Sequence, residues 1–360
     1  MESETYHTSR RLGRVRRAQF DHVLHRHRLG EFIAVQEVPL GLFGQNVFLI
    51  STRGQFVFRG APLAPWQFPT EQFFTQLLHE RTRVPVPWPY VIDDSCDVFP
   101  WSYALMPRMP GLQVSTREVK KTLTESDRLE IARAMGRNLA TMHEVDAAVC
   151  SRFDPERNVV RAVPLSDQAA WPWYESYGEV DAPPLLHEIA PARIRFLLKR
   201  ALSASKLTTQ RDIDWVETII ARGFDALREP FGPCLVMEDY KEANVVLRRD
   251  AKGWEVSGVF DLMGCYFGDG EADLSRVLAE YFDESPHLAV AFARTYLDLR
   301  PPRPGFTERF AVFMLLDRMI LWEYVVRNEP ATAGKLGGLR QWAKRYTDIA
   351  DILALKAAES

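Results

Sequence analysis

Three side chains in the segment 235–261, LVMEDYKEANVVLRRDAKGWEVSGVFD, have the types and order that phosphoryl transfer requires: Asp239, Asn244 and Asp261. In that chemistry one carboxylate accepts the proton of the attacking hydroxyl. An amide oxygen and a second carboxylate hold Mg²⁺ against the β- and γ-phosphates. The apolar runs 245–247 and 256–260 flank a turn-like stretch at 249–253, so the spacing predicts a β-hairpin that brings Asn244 and Asp261 together. Each signal alone is common, since Asp and Asn also serve as turn residues and helix caps. The weight comes from their order around the hairpin.

The elements that must position this set begin with a predicted helix over 8–29 and three short strands, 33–38, 47–50 and 55–58. Gly41 and Gly44, between the first two strands, would let backbone amides approach a phosphate, although a plain hairpin turn fits those residues as well. Arg59 ends the third strand, the place where kinase-type chemistry puts a cation toward the α- and β-phosphates; an exposed strand-end arginine is the alternative. Glu71 follows Thr70 at the start of a predicted helix and can orient Arg59; a first-turn carboxylate stabilised by the helix dipole is the alternative. Strands follow at 90–92 and 101–106. The stretch from Met106 to Gly111 then breaks the pattern, as a connection whose backbone can hydrogen-bond an adenine ring.

Beyond that connection Leu129, Ala132, Met135, Leu139 and Met142 recur at helical spacing, and 189–206, 211–228, 285–299, 307–329 and 338–356 read as further helices. The predicted architecture is α+β. It has an N-terminal helical extension over 1–30, a small antiparallel β-rich N-lobe over 31–108 that binds nucleotide, and a larger, mostly helical C-lobe over 109–360 with the catalytic loop and acceptor-binding helices. His143 reads as structural. Trp171 and Trp173 are either a substrate wall or packing aromatics.

Composition fits this organisation: 360 residues, 46% hydrophobic and 26% charged, with a net charge of −3. Near-neutral charge argues against nucleic acid as an obligate partner, and the basic stretch 10–28 reads as a solvated helix face. The four cysteines, Cys96, Cys150, Cys234 and Cys265, have neither zinc spacing nor disulfide density. The apolar segment 310–326 contains Asp317, Arg318 and Glu323, which is unsuited to a membrane span, and the N-terminus lacks a hydrophobic signal core. A cytoplasmic protein without membrane attachment is expected.

With these residues in view the chain resembles the aminoglycoside phosphotransferase family, small-molecule kinases with a protein-kinase-like two-lobe fold. The resemblance covers roughly residues 35–330 and runs through Val57-Phe58-Arg59, Pro85-Val86-Pro87, Ala104-Leu105-Met106, Leu139 to His143, Asp239 to Asp261, and Phe267 to Leu274. It implies Asp239 as catalytic base, Asn244 and Asp261 as Mg²⁺ ligands, Arg59 as phosphate contact and Glu71 as its ion-pair partner. Asp269 and Asp273 would support the catalytic loop. Lys241, at an offset where protein kinases carry a lysine, would contact the transferring phosphate; a solvated loop lysine is the alternative. One departure stands out. The family usually has His two residues before the catalytic Asp, and here that residue is Met237, which cannot donate a hydrogen bond.

The resemblance implies an ATP- or GTP-dependent, Mg²⁺-requiring phosphotransferase acting on a hydroxyl of an aminoglycoside-like molecule, amino alcohol or sugar. The alternative from another class is a pseudokinase, a nucleotide-binding or scaffold protein with little turnover, motivated by Met237 and the sparse glycine loop. A protein kinase is disfavoured because no Ala-Pro-Glu motif follows Asp261. Asp317 and Glu323, with Glu175, Glu179 and Asp181, would offer a cationic acceptor an acidic groove; solvated charges explain them equally.

Overall fold

A computed structural model describes residues 5–38, 45–161 and 186–355. The chain forms two compact units that are not contiguous in sequence. The first comprises Met1–Leu123, Phe153–Val159 and Glu242–Cys265; the second comprises Thr124–Arg152, Val160–Lys241 and Tyr266–Ser360.

The first unit is built on a five-stranded antiparallel sheet of β3 (Phe32–Glu37), β4 (Asn46–Ser51), β5 (Gly54–Gly60), β6 (Val91–Asp93) and β7 (Tyr103–Pro107), in the order β3-β4-β5-β7-β6. Residues in β4 alternate between buried and half-buried, as expected of a strand with one face on a core. Phe58 on β5 centres that core. Its ring lies 5.5 Å from Phe20 and 5.3 Å from both Phe99 and Tyr103, with Val23, Leu24, Val47, Leu49 and Leu105 around them.

The expected helix over 8–29 is only half present. Residues Thr5–Ser9 (β1) and Gly13–Arg16 (β2) form an antiparallel hairpin, and the helix, α1, spans Arg17–Arg26. Leu12 and Val15 both enter the core, and their spacing of three mimics a helical stripe. Gly13, at φ +67°, lies in the left-handed region, which suits a hairpin turn rather than a helix. The basic residues here are therefore not one helix face. Helix α2 (Gln67–Arg81) starts one turn earlier than expected, because Pro69 in its first turn removes only an N–H that has no helical partner.

The late hairpin pairs Val245–Asp250 with Gly253–Val259, as expected, and belongs to the first unit. It is tied there by reciprocal backbone bonds between Leu112 and Leu247 (2.7 and 3.0 Å) and by Val259 N–H donating to Pro85 O at 2.8 Å. Gly111, at φ +136°, lies so close that a Cβ would fall 2.7 Å from Leu247 O.

The second unit is mostly helical. Glu125–Met142 starts with a capping box, Thr124 Oγ1 accepting from Asp127 N–H and Asp127 accepting from Thr124 N–H. It packs closely on Pro286–Leu299: a Cβ at Gly136 would come 2.7 Å from Phe292 O. Helix Phe306–Asn328 runs through the other core, against Ile189–Ala204 and Gln210–Leu227, and is buried on nearly every side. No helix among the described residues is long and apolar enough to cross a membrane. The spacing did not single out helix Leu274–Glu284, and the expected 338–356 helix is two pieces, Leu339–Thr347 and Ile349–Ile352. An antiparallel sheet in the N-terminal part and a helical C-terminal part make the α+β, kinase-like fold that the sequence predicts.

Candidate active site

The first unit assembles four of the expected residues. Val245 pairs with Val259, and Phe260 N–H donates to Asn244 O at 3.0 Å, so the end of the hairpin places Asn244 beside the residue preceding Asp261. Gln113 Nε2 holds the adjoining Ala243 carbonyl at 2.9 Å. Asp261 adopts φ +68°, ψ +47°, a left-handed conformation that costs a non-glycine residue about 1 kcal/mol or more and persists where the surroundings impose it. The bend turns the chain into the 3₁₀ segment Leu262–Gly264 and leaves the Asp261 carboxylate one-third exposed.

Arg59 lies on β5 opposite Asn46 and Ala104, with its guanidinium almost wholly buried. Its Nη1 donates to Glu71 Oε2 at 3.0 Å, and Nη2 to Asp261 Oδ1 at 3.3 Å. Burial alone would lower the pKa of Arg59; Glu71 and Asp261 reverse this and hold it above its ordinary value. Glu71 also accepts from the Tyr90 hydroxyl at 2.8 Å and from Gln67 Nε2 at 3.5 Å. Burial pushes its carboxyl up to about 7, against the pull of Arg59. The residue sits in the second turn of α2, so a first-turn dipole contact does not explain it. Arg59 Nε is buried with no acceptor among the described residues, a donor still available at this network.

In the second unit Asp239 follows strand Cys234–Val236 on a loop held by one carboxylate. Asp273 accepts from Met237 N–H and Glu238 N–H, both at 2.6 Å, and from His143 Nε2 at 3.1 Å; His143 Nδ1 lies 2.8 Å from the Tyr296 hydroxyl. Support that Met237 cannot supply through its side chain thus arrives through its backbone, and the thioether is simply core. Glu238, at φ +70°, turns away to meet Arg193 Nη1 at 2.8 Å, and the Tyr240 hydroxyl donates to Met135 O at 3.0 Å. Lys241 Nζ bonds both Asp239 oxygens, at 2.9 and 2.7 Å. Arg276 Nη1 stands 3.5 Å from Asp239 Oδ1.

Two expectations are corrected. Asp269 makes no hydrogen bond to the loop that carries Asp239 among the described residues: it caps the turn Gly270–Asp273 and pairs with Arg303. Asp317 and Glu323 are buried and neutralised, Asp317 by Arg276 and Arg318 and Glu323 by Arg200 and Arg327, so neither offers an acidic groove. Met106 is buried on β7 opposite Val57. Strand β6 last pairs at Val91 with Leu105, so the β7 edge beyond Leu105 has no strand partner there among the described residues. Gly41, Gly44, Trp171, Trp173, Glu175, Glu179 and Asp181 lie outside the described residues. Sequence reasoning missed Tyr90, Arg193 and Arg276. Only Tyr90, the first residue of the expected strand 90–92 and immediately before the observed strand Val91–Asp93, stood near a feature already in view.

Asn244 and Asp261 supply hard oxygen donors in the small number that suits Mg²⁺, an ion that completes its shell with phosphates and water. Among the described residues no three His, Cys, Asp or Glu side chains converge as a metal cage by themselves. A cation at this pair would complete its shell with donors from outside these two side chains.

The chain belongs to the phosphotransferase enzyme family, whose sequence model matches residues 34–306. No curated protein matches it in sequence. Solved structures share its fold at low identity. A candidate aminoglycoside phosphotransferase from Ralstonia eutropha JMP134 is 15% identical, with a TM-score of 0.59 over 95% of this chain and 99% of its own. A thermostable variant of aminoglycoside phosphotransferase APH(4)-Ia, in complex with AMP-PNP and hygromycin B, is 12% identical, with a TM-score of 0.60 over 91% and 98%. Aminoglycoside 2′-phosphotransferase-IIIa in its GDP complex is 12% identical, with a TM-score of 0.57 over 92% and 95%.

Proposed function

We propose that the protein transfers the γ-phosphoryl group of ATP or GTP to a hydroxyl of a small molecule, with Mg²⁺ as cofactor. The observation that carries this reading is the buried Arg59–Glu71–Asp261 network with Asn244 at the end of the same hairpin: a fixed cation beside two oxygen donors is the machinery of phosphate binding. In this reading Arg59 contacts the α- and β-phosphates with a geometry suited to a guanidinium fork, and Glu71 fixes its direction. Asn244 and Asp261 would hold Mg²⁺, which neutralises charge on the phosphates when bound. Met106 and the following backbone would meet the base, and Gly41 and Gly44 the phosphates.

Asp239 accepts the acceptor's proton, and Lys241 moves from Asp239 to the transferred phosphoryl group. Catalysis then consists of positioning and charge neutralisation, with no covalent intermediate. The acceptor class is that of an aminoglycoside, amino alcohol or sugar. The family match, and structures of the same fold crystallised with AMP-PNP and hygromycin B or with GDP, support a small-molecule phosphotransferase.

The test is Mg²⁺-dependent consumption of ATP and GTP over pooled aminoglycosides, amino alcohols, sugars and nucleosides, with mass spectrometry of each pool. A product heavier by one phosphoryl group is expected. Asp239→Asn should lower its rate by roughly 10²- to 10⁴-fold while leaving the melting temperature nearly unchanged. Wild-type rates in the variant would remove Asp239 as base. Tight nucleotide binding with no product and no Mg²⁺ dependence would identify the pseudokinase instead.

A further inference from the structure

We infer that Arg276 is a positioning residue for Asp239, the fixed counter-ion that keeps the base in place while Lys241 is drawn to the phosphoryl group. The inference rests on the phosphotransferase reading above. One flexible lysine cannot serve a carboxylate and a phosphate at once. Lys241 bonds both Asp239 oxygens, and its charge sits on a four-carbon stem with free torsions. Once it turns to phosphate, the Asp239 carboxylate loses two hydrogen bonds, and its terminal torsion has a broad, soft well.

Arg276 is placed to remain. It lies on helix Leu274–Glu284 with its side chain only 13% exposed, Nη1 3.5 Å from Asp239 Oδ1 and Nε 2.7 Å from Asp317 Oδ1. Asp317, on helix Phe306–Asn328, is gripped from its other side by Arg318, whose guanidinium lies 5.4 Å from the Trp342 ring centre and 4.6 Å from that of Tyr346. Burial alone would raise the Asp317 carboxyl, but Arg276 and Arg318 more than reverse this and hold it below its ordinary value, so the anchor stays charged. The distance to Asp239 is longer than a hydrogen bond, so Arg276 acts as a near charge that does not compete for the proton-accepting lone pairs.

The experiment measures phosphate release from MgATP, with water as acceptor, for wild type, Arg276→Gln, Arg276→Lys, Arg276→Ala and Asp239→Asn, with MgATP affinity and melting temperature alongside. Arg276→Gln should lower kcat about 10- to 100-fold with KM for MgATP nearly unchanged. Arg276→Lys should recover part of that loss, and millimolar guanidinium should speed Arg276→Ala but not wild type. Adding Asp317→Asn to Arg276→Gln should lower kcat no further, because the two act as one unit. A wild-type kcat per folded molecule in Arg276→Gln, or a loss confined to melting temperature, would overturn the inference while an inactive Asp239→Asn keeps the base assignment. Wild-type turnover in Asp239→Asn would overturn both.

Discussion

On the carboxyl of Glu71 two effects oppose each other: burial pushes its pKa up to about 7, and Arg59 pulls it down. A folded-state value above the ordinary 4.5 means that the folded chain holds this proton more tightly than the unfolded one. The contribution of Glu71 to stability therefore falls as pH rises from about 4.5 to about 7 and is level above that. Replacing Glu71 by Gln removes the titration. Urea midpoints should then fall less between about pH 5 and pH 8 in the variant than in wild type. Equal falls would show that Glu71 is ionised throughout. Above neutral pH its full charge is what orients Arg59, so the same variant should weaken MgATP binding most in that range.

Among the elements, the loop after strand Cys234–Val236 carries the largest consequence, since Asp273 satisfies two of its amides and His143 together. Met237 is buried core, so Met237→Leu should cost less than about 1.5 kcal/mol. Asp273→Asn leaves one amide or the imidazole without its charged acceptor, and should cost about 3–5 kcal/mol by urea denaturation. A larger loss from Met237→Leu than from Asp273→Asn would reverse this account of the loop. Elements with a clear local pattern were legible: the apolar runs 245–247 and 256–260 on either side of a turn gave the late hairpin, though not the register shift between Val246 and Leu247, and the helical stripe from Leu129 to Met142 gave a helix. The stretch before α1 was not, because two core contacts three residues apart fit a helix or a hairpin turn equally, and only the Gly13 backbone separates them.

Over the whole molecule the chain passes from one compact unit to the other between Lys241 and Glu242, so Asp239 is folded into one unit and Asn244 and Asp261 into the other. Arg59, Asn244 and Asp261 come together only in the folded chain, and a nucleotide that uses them stabilises it by mass action, about 2.7 kcal/mol at a hundredfold excess over Kd. MgATP should raise the melting temperature more than ATP without Mg²⁺, and Asp261→Asn should lose that difference. An identical shift in wild type with and without Mg²⁺ would take Asp261 out of the metal role. The sequence by itself determined the α+β architecture and the order of the candidate reacting groups along the chain, because those follow from residue types and short-range periodicity. The tertiary structure alone decided that Tyr90 and Glu71 share a proton-bearing network with Arg59, and that His143 and Asp273 stand in for a missing loop histidine. It also decided that Asp317 is an anchor for Arg276 and not an acidic surface. These contacts join residues that no local pattern relates, and burial fixes their charge only once the core has closed around them.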